Sequence, residues 1–534
     1  MKKIIFLTVL AGFFCNSLHA RTSSESLDID FNSARKTVLH VSVEGQLVKV
    51  DRYTDNYVKY PNRPQDQLIN VYIPETASTD SPIMFYVNNG GWIANSFPEG
   101  TIAEGSNYDG KNDKVGVALR EGYVVVSYGC RSRANEPVEG RYLGHSPATM
   151  TDTKAAIRYL RHNRKSLPAG DVEKIFITGT SGGGALSTVI AASGNSPDYL
   201  PSLYEIGAAG VELKMDGTYS SISGCGDNVF GVIGYCPITD LGHACGAYEW
   251  LYGQTRKDMY AAGEMNYHFI DEQSIMSASE ELSGQFAQYI DSLGLKDEEG
   301  NAINSSNLKN YIADLMNEEI VKTIGELGPE QMMKEIERES RRGRRENNGW
   351  FMLNEDGSYD YDIDKHLRYV AKYTVLKPAP AFSNKGLFVT HMNEDSLFGS
   401  EEIPYCPFNE YSWNNDKEIN KVGRDETGLS WDEYMQTEKG RELVLQIKMT
   451  SAIDYLLEGT SDIAPYWYIR HGMDDRDTSF AVEAMLFNAV RNNQKILSSD
   501  VGFAWLKPHA GDYDIPEAYS WLKKVLDGQP EGNL

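Results

Sequence analysis

The sequence predicts an α/β fold: a mostly parallel sheet flanked by helices and interrupted by a large, mainly helical insertion. The main evidence is that strand-like apolar runs alternate with helix-like segments in two separate stretches, as a parallel sheet requires. A third stretch between them lacks this alternation and carries long amphipathic segments. The candidate strands are Leu68–Ile73, Ile83–Val87, Tyr123–Ser127, Ile175–Thr178 and Val232–Tyr235, then Tyr466–Ile469 and Val501–Leu506.

Apolar residues at helical spacing predict the helices that flank this sheet. They cover Thr149–Asn163, a segment starting near Thr478, and a closing helix from about Pro516 to Leu526. The intervening stretch carries the amphipathic segments Ser277–Leu293, Asn307–Leu327 and Gln331–Arg345. We therefore expect one sheet domain in two parts, residues 21–241 and 460–534, with a lid domain inserted at residues 242–459.

The first 20 residues have the pattern of a secretory signal peptide. Lys2 and Lys3 precede the apolar run Ile4–Phe14, and Ala20 offers a small residue for cleavage. The bulky Phe14 before Cys15 argues against lipid attachment, so we expect an exported, unanchored protein. No later segment has the ~18 consecutive apolar residues that a membrane span needs.

The charge of the chain argues against binding to nucleic acid. The formal net charge of −25 becomes −27 once Lys2 and Lys3 are removed, and such a surface repels phosphate backbones. The exported chain keeps five cysteines with no C-x-x-C pair, which disfavours a zinc site and leaves one or two disulfides open. These are Cys130, Cys225, Cys236, Cys245 and Cys406.

The segment Gly179–Gly183 has the pattern G-x-S-x-G between a strand and a helix rich in small residues. This is the sequence of a nucleophile elbow, in which glycines permit a strained turn that exposes the oxygen of the central serine. Ser181 is therefore the candidate nucleophile.

A serine hydroxyl needs a base to accept its proton and an acid to orient that base. In the order typical of an α/β-hydrolase fold, the acid follows a later strand and a histidine follows the last strand. His509 lies in the loop after Val501–Leu506 and is the candidate base. The candidate acids lie just beyond the strand that ends at Ile469, where His471 is expected to be structural; they are Asp474, Asp475 and Asp477.

The turn Asn88–Trp92 directly follows the strand Ile83–Val87, where hydrolases of this class carry a glycine-rich oxyanion turn. Backbone N–H groups there can face the negative oxygen that develops during acyl transfer. We predict that Gly91, or alternatively Gly90, and Gly182 supply these donors.

The chain resembles the bacterial tannase group of α/β-hydrolases, which are relatives of feruloyl esterases. The motifs that carry the resemblance are Gly234–Leu241, Ala247–Trp250, Leu397–Gly399 and the pair Asp475 and Asp477. The resemblance implies that Asp475 is the triad acid. It also implies that Asp477 contacts phenolic hydroxyls of a galloyl group, and that Lys377 and Glu394 in the lid bind the same group.

The resulting expectation is an exported serine esterase that acts on a small aromatic ester of the galloyl type. A feruloyl, acetyl or general carboxylesterase of the same fold is the nearest alternative, and a non-catalytic binding protein is a remote one. No cofactor is expected. No metal is expected either, because the acidic stretch Asn354–Asp364 lacks the ligand spacing of a calcium loop. The oligomeric state stays open.

Overall fold

The computed structural model describes residues 27–93, 100–265, 271–341, 347–373, 375–387 and 394–529. The predicted signal peptide, including Cys15, lies outside the described residues.

A mixed sheet organises the fold. The strands of the chain, in order, are β1 (Arg35–Val43), β2 (Gln46–Asn56), β3 (Leu68–Pro74), β4 (Ile83–Tyr86), β5 (Asn107–Tyr108), β6 (Val124–Tyr128), β7 (Ile175–Thr180), β8 (Val211–Leu213), β9 (Tyr219–Ser221), β10 (Gly231–Tyr235), β11 (Phe351–Leu353), β12 (Tyr359–Tyr361), β13 (Tyr466–Gly472) and β14 (Ser498–Ala504). Among the described residues, ten of them form the main sheet in the order β14-β13-β10-β7-β4-β6-β3-β2-β1-β5.

The central part of this sheet is parallel, as predicted. Parallel pairing links β6 to β4, β4 to β7, β7 to β10, β10 to β13 and β13 to β14. Each strand that the sequence predicted is present, with ends that differ by at most a few residues. The strands β1 and β2 were not predicted. They form an antiparallel hairpin that extends the sheet through β3, which is itself antiparallel to β6.

Helices cover both faces of the sheet. They are α1 (Lys114–Arg120), α2 (Ala148–His162), α3 (Gly182–Ala192), α4 (Leu200–Glu205), α5 (Leu241–Ala261), α6 (Glu272–Leu293), α7 (Leu308–Leu327), α8 (Pro329–Arg341), α9 (Ile363–Tyr373), α10 (Glu410–Asn415), α11 (Arg424–Thr427), α12 (Trp431–Met435), α13 (Glu438–Lys448), α14 (Ala452–Glu458), α15 (Phe480–Arg491) and α16 (Ile515–Leu526). The predicted segment Gln331–Arg345 corresponds to α8, and its last residues lie outside the described part.

Alternation along the strands divides the core into two layers. In β4, Ile83 and Phe85 join the cluster that includes α2, α3 and α15, whereas Met84 and Tyr86 join the cluster that includes α1 and α16. Successive strand side chains point to opposite faces, so one short apolar strand supplies both layers.

The helix-rich stretch lies between two neighbouring strands of the sheet. The chain leaves the sheet after β10, forms α5 to α14 and the small β11–β12 hairpin, and returns at β13 beside β10. Its apolar residues belong to the same buried cluster as α3 and α15. This arrangement fits a segment inserted into the sheet, while the lid boundaries at 242 and 459 remain a prediction.

Candidate active site

The turn between β7 and α3 holds Ser181 in a strained conformation. Its φ and ψ are 61° and −125°, a left-handed region that non-glycine residues rarely adopt. The turn is tight because the backbone doubles back on itself: a Cβ at Gly179 would lie 2.4 Å from the carbonyl oxygen of Gly183. The Ser181 N–H donates to the carbonyl oxygen of Tyr235 in β10 at 2.9 Å, which fixes the turn to the neighbouring strand.

Ser181, His509 and Asp475 form one hydrogen-bonded chain. The Ser181 Oγ hydroxyl donates to His509 Nε2 at 2.8 Å, and His509 Nδ1 donates to Asp475 Oδ2 at 2.6 Å. The structure therefore brings together Ser181 and His509, which were predicted from their motifs, and Asp475, the acid that the resemblance implied. The arrangement has the connectivity of a nucleophile, a base and an orienting acid.

The loops that carry the acid and the base are joined by their backbones. The Asp474 N–H donates to the carbonyl oxygen of Lys507 at 2.9 Å, and the Met473 N–H donates to that of Ala504 at 3.0 Å. Because β13 and β14 are parallel neighbours, both loops leave the same edge of the sheet. Strand pairing thus sets the separation between Asp475 and His509.

The electrostatics of the pair favour an ionised acid and a basic imidazole. Burial alone would raise the pKa of Asp475, but the neighbouring His471, the bond from His509 and the Asp477 N–H lower that pKa to about 2. Burial disfavours protonated His509, yet the hydrogen bond and charge of Asp475 outweigh it and raise the pKa of His509 above its usual value. A carboxylate beside the ring therefore stabilises the protonated form of the His509 imidazole.

The predicted oxyanion donors lie side by side. Gly182 is the first residue of α3, where a backbone N–H has no acceptor within its own helix. A Cβ at Gly182 would lie 2.9 Å from the backbone N of Gly91 and 2.2 Å from that of Trp92, so the two glycine segments are in close contact. Gly91 has a φ of 58°, which suits glycine. The N–H of Trp92 is used internally, since it donates to the Asn89 carbonyl oxygen at 3.0 Å.

The three predicted acyl-binding residues interact through their charges with one another, and some of them also with the base. The pKa of Lys377 is lowered mainly by burial, against the opposing effects of Glu394 and Asp477. The pKa of Glu394 is raised mainly by burial, against the positive charges of Arg133 and Lys377. Lys377 and Asp477 also act on the pKa of His509, in opposite directions. Lys377 thus interacts with both Glu394 and Asp477, and two of the three residues, Lys377 and Asp477, act on the base.

Backbone contacts fix these residues without regular secondary structure. The Lys377 N–H donates to the Tyr248 hydroxyl at 3.2 Å, and its ammonium lies 4.1 Å from the centre of the Phe382 ring. Glu394 begins a short 3₁₀ turn, and its N–H donates to the Phe382 carbonyl oxygen at 3.0 Å. The Asp477 N–H donates to Asp475 Oδ1 at 2.7 Å, so it also orients the triad acid.

Arg133 is a part of the site that sequence reasoning missed. Its guanidinium Nε donates to the Gly91 carbonyl oxygen at 2.9 Å, and its Nη2 lies 3.6 Å from Glu394 Oε1. One buried cation therefore joins the oxyanion turn to the acyl-binding cluster. Its only sequence signal is its position soon after β6 ends at Tyr128, which does not distinguish it from an ordinary loop arginine.

Among the described residues, one group has the ligand types of a metal site: Cys236, Asp475 and His509. The last two are already bonded to each other, and Cys236 Sγ donates to the Ala510 carbonyl oxygen at 3.3 Å. We therefore assign this group to the triad and its surroundings. The five cysteines in the described part of the chain are all unpaired and buried.

Trp250 and Trp413 lie against the core. Trp413 is fully buried, stacks on Tyr434 with ring centres 4.1 Å apart, and donates from Nε1 to the Leu429 carbonyl oxygen at 3.1 Å. Trp250 is partly buried and packs on Phe286 at 5.8 Å. Both contacts are internal to the fold.

Comparison with known proteins agrees with this geometry. The sequence model of the BD-FAE family, an esterase-like family of α/β-hydrolases, matches residues 69–277. No curated protein matches in a direct sequence comparison. The fold and these matches define the chain as an α/β-hydrolase that hydrolyses carboxylic esters.

Solved structures narrow this class. The Fusobacterium nucleatum tannase is 28% identical with a TM-score of 0.70, covering 94% of this chain and 100% of that one. The Lactobacillus plantarum tannin acyl hydrolase is 26% identical with a TM-score of 0.70, covering 94% and 98%. A tannin acyl hydrolase in complex with ethyl gallate is 25% identical with a TM-score of 0.69 over the same shares. The chain shares the α/β-hydrolase fold of these tannases over nearly its whole length and is similar to the tannase group.

Proposed function

We propose that the chain is an exported serine esterase that hydrolyses galloyl-type esters of phenolic acids through an acyl-enzyme. The observation that carries the proposal is the position of His509, which accepts from Ser181 and donates to Asp475 at 2.8 and 2.6 Å.

The mechanism follows from this arrangement. Ser181 Oγ attacks the ester carbonyl carbon while His509 Nε2 takes its proton, and Asp475 stabilises the imidazolium. The negative oxygen of the tetrahedral intermediate accepts N–H bonds from Gly182 and from Gly91 or Gly90. The imidazolium then protonates the leaving alcohol. Water, deprotonated by the same imidazole, releases the acid from Ser181 and restores the enzyme.

The preference for a galloyl acyl group rests on the charges beside His509. Phenolic hydroxyls donate hydrogen bonds, and the carboxylates of Glu394 and Asp477 accept them, while the Lys377 ammonium can donate to a phenolic oxygen. A buried site of this kind disfavours acyl groups without ring hydroxyls, because its polar groups then lose their partners. Structures of related tannin acyl hydrolases with ethyl gallate and with 3,4-dihydroxybenzoate support this class of ligand.

Export is proposed from the sequence of residues 1–20 alone. Among the described residues, no helix has the length and apolar character that crossing a bilayer demands. A chain cleaved after Ala20 would begin at Arg21, which N-terminal sequencing of the isolated protein would detect.

The mechanism is tested by replacing the nucleophile. We expect Ser181→Ala to lower kcat on methyl gallate by at least ~10⁴-fold and to abolish labelling by a fluorophosphonate probe. Ser187→Ala is the matched control on α3, because the Ser187 hydroxyl bonds only the Gly183 carbonyl oxygen of its own helix at 2.8 Å. Near-normal turnover by Ser181→Ala would exclude the mechanism, and an unlabelled wild type without esterase activity would favour a binding protein.

A substrate panel separates the galloyl proposal from its nearest alternative. We expect kcat/KM for methyl gallate to exceed that for methyl ferulate and for 4-nitrophenyl acetate by more than about tenfold. The reverse order for ferulate or acetate would favour a feruloyl or general carboxylesterase, with the same triad.

A further inference from the structure

A buried acid–imidazole pair lies directly behind Asp475. His471 is the second-last residue of β13, just before the acid loop, and Glu483 is in the first turn of α15. Both residues are completely buried, as is Asp475. His471 Nε2 lies 3.5 Å from Asp475 Oδ2, and His471 Nδ1 lies 3.4 Å from Glu483 Oε1. Asp475 Oδ2 therefore faces two imidazole rings, that of His509 at 2.6 Å and that of His471 at 3.5 Å.

The surroundings of this pair are apolar. The ring of His471 meets Phe480 and Phe503 edge-on, with ring centres 5.7 and 6.0 Å away. Both ring nitrogens of His471 and both carboxyl oxygens of Glu483 lack a standard hydrogen bond in the described part of the chain, so the contacts of 3.4 and 3.5 Å are close approaches. Buried polar groups strongly favour a partner. The contacts available to His471 are Glu483 on one side and Asp475 on the other.

The pKa shifts of Glu483 and His471 favour one protonation state of the pair. Burial and the charge of Asp475 raise the pKa of Glu483 well above its usual range, and burial lowers the pKa of His471 to about 4. Both shifts favour the neutral form of the group concerned. The first turn of α15 favours a Glu483 anion only weakly, whereas full burial without a charged partner disfavours it strongly.

The direction of the hydrogen bonds follows from that neutrality. A protonated Glu483 donates to His471 Nδ1, which leaves the ring proton on Nε2, facing Asp475. The opposite tautomer would place the Nε2 lone pair against the Asp475 carboxylate, which is repulsive in an apolar site.

We propose that His471 and Glu483 are positioning residues for the triad acid: Glu483 fixes the ring of His471, and the Nε2–H of His471 donates to Asp475 Oδ2. The proposal rests on the proposed function, in which Asp475 orients His509. Asp475 then accepts from His509, from His471 and from the Asp477 N–H, so both of its oxygens are held. A structural role alone, which the sequence predicts for His471, does not include this contact.

The first test compares two substitutions of His471. Leucine fills the ring's space without an N–H, whereas glutamine keeps a donor at about the reach of Nε2. A hydrogen bond to a charged group corresponds to a factor of about 10 to 100. We expect His471→Leu to lower kcat by that factor at unchanged KM, and His471→Gln to stay within about threefold of wild type. A wild-type kcat in His471→Leu would overturn the proposal, as would equal impairment of both variants.

The second test is independent of whether the His471→Leu variant folds. In wild-type protein with ¹⁵N-labelled histidine, the ring nitrogens of His471 are expected to show the Nε2–H tautomer, assigned by loss of the signal in His471→Gln. An Nδ1–H tautomer would overturn the proposal. Glu483→Gln is expected to keep kcat within about threefold of wild type, since the amide is also a neutral donor. A loss as large as in His471→Leu would show that Glu483 acts as an anion and would also overturn it.

Fluorophosphonate labelling separates this inference from the proposed function. Wild-type enzyme that is not labelled contradicts the serine mechanism itself. Labelling of the wild type together with equally fast labelling of His471→Leu contradicts only the positioning role.

Discussion

The triad and the acyl-binding cluster are neighbours, but they are built in different ways. Ser181, Asp475 and His509 follow the ends of three strands of one sheet, and hydrogen bonds of 2.6 and 2.8 Å join them. Lys377 and Glu394 lie outside the sheet, between α9 and α10. Lys377 interacts through charge with Glu394, Asp477 and the base, and Glu394 interacts with Lys377 and Arg133.

This difference separates chemistry from selectivity. The triad satisfies its own polar groups, so its geometry is independent of any acyl group. In the cluster, burial raises the pKa of Glu394 and lowers that of Lys377, so the charged forms of both residues are disfavoured until a polar ligand contacts them. Changes to the triad side should therefore affect every ester, whereas changes to the cluster should affect hydroxylated acyl groups.

Arg133 is the physical link between the two regions. It bonds the carbonyl oxygen of Gly91 in the oxyanion turn and approaches Glu394 in the cluster. Substitutions in the oxyanion turn and substitutions in the acyl-binding cluster, which lie on either side of Arg133, are therefore expected to have clearly different effects on the ester panel.

The largest of the remaining effects is expected at the oxyanion turn. A Cβ at Gly182 would lie 2.2 Å from the Trp92 backbone N, so Gly182→Ala must displace the turn from α3. Loss of one oxyanion donor costs about 10²–10³-fold in kcat. We expect a loss of that size for methyl gallate, methyl benzoate and 4-nitrophenyl acetate alike, measured by steady-state kinetics.

Gly284→Ala is the control for this substitution, because a Cβ at that position in α6 meets nothing within 4 Å. It should leave kcat unchanged. A Gly182→Ala loss confined to gallate would contradict the separation of chemistry from selectivity.

The same contrast explains which parts of the fold and of the candidate site can be predicted from the sequence. The strands that carry the triad are short and mostly buried, as in Ile175–Thr180, so their pattern is visible without the structure. The hairpin β1–β2 was missed although its residues partly alternate between buried and exposed, as in a half-buried strand, and the Glu44–Gly45 turn marks its reversal. Fold and triad order are thus set locally along the chain.

The acyl-binding cluster has no comparable local signal. Lys377 and Glu394 were predicted from family resemblance, and nothing in their immediate sequence separates them from surface charges. Arg133 and the contact between His471 and Asp475 depend on distant segments meeting, so they emerge only in three dimensions.

An intermediate effect is expected from Lys377→Met, which removes the ammonium but keeps the length of the side chain. It should lower kcat/KM for methyl gallate by about 10- to 100-fold, the effect of a lost hydrogen bond to a charged group. For methyl benzoate, which lacks ring hydroxyls, the change should stay below about threefold.

Lys385→Met is a matched control for that experiment. Lys385 is also half-buried, with its ammonium 4.3 Å from the centre of the Tyr405 ring, compared with 4.1 Å between Lys377 and Phe382. It should not change the ratio of gallate to benzoate turnover. Equal losses on both esters in Lys377→Met would place Lys377 in the chemistry rather than in acyl selectivity.

The smallest effect is expected in the pH dependence, where the charge of Asp477 acts on the base. Asp477 raises the pKa of His509, and catalysis requires the unprotonated ring. In Asp477→Asn the pKa of His509 therefore falls, and the acid limb of the kcat/KM profile on 4-nitrophenyl acetate moves to lower pH. Asp425→Asn removes the same charge at an exposed position paired with Lys417 and should leave the limb in place. An acid limb that stays fixed or moves to higher pH in Asp477→Asn would mean that the charge of the acyl-binding cluster does not reach the base.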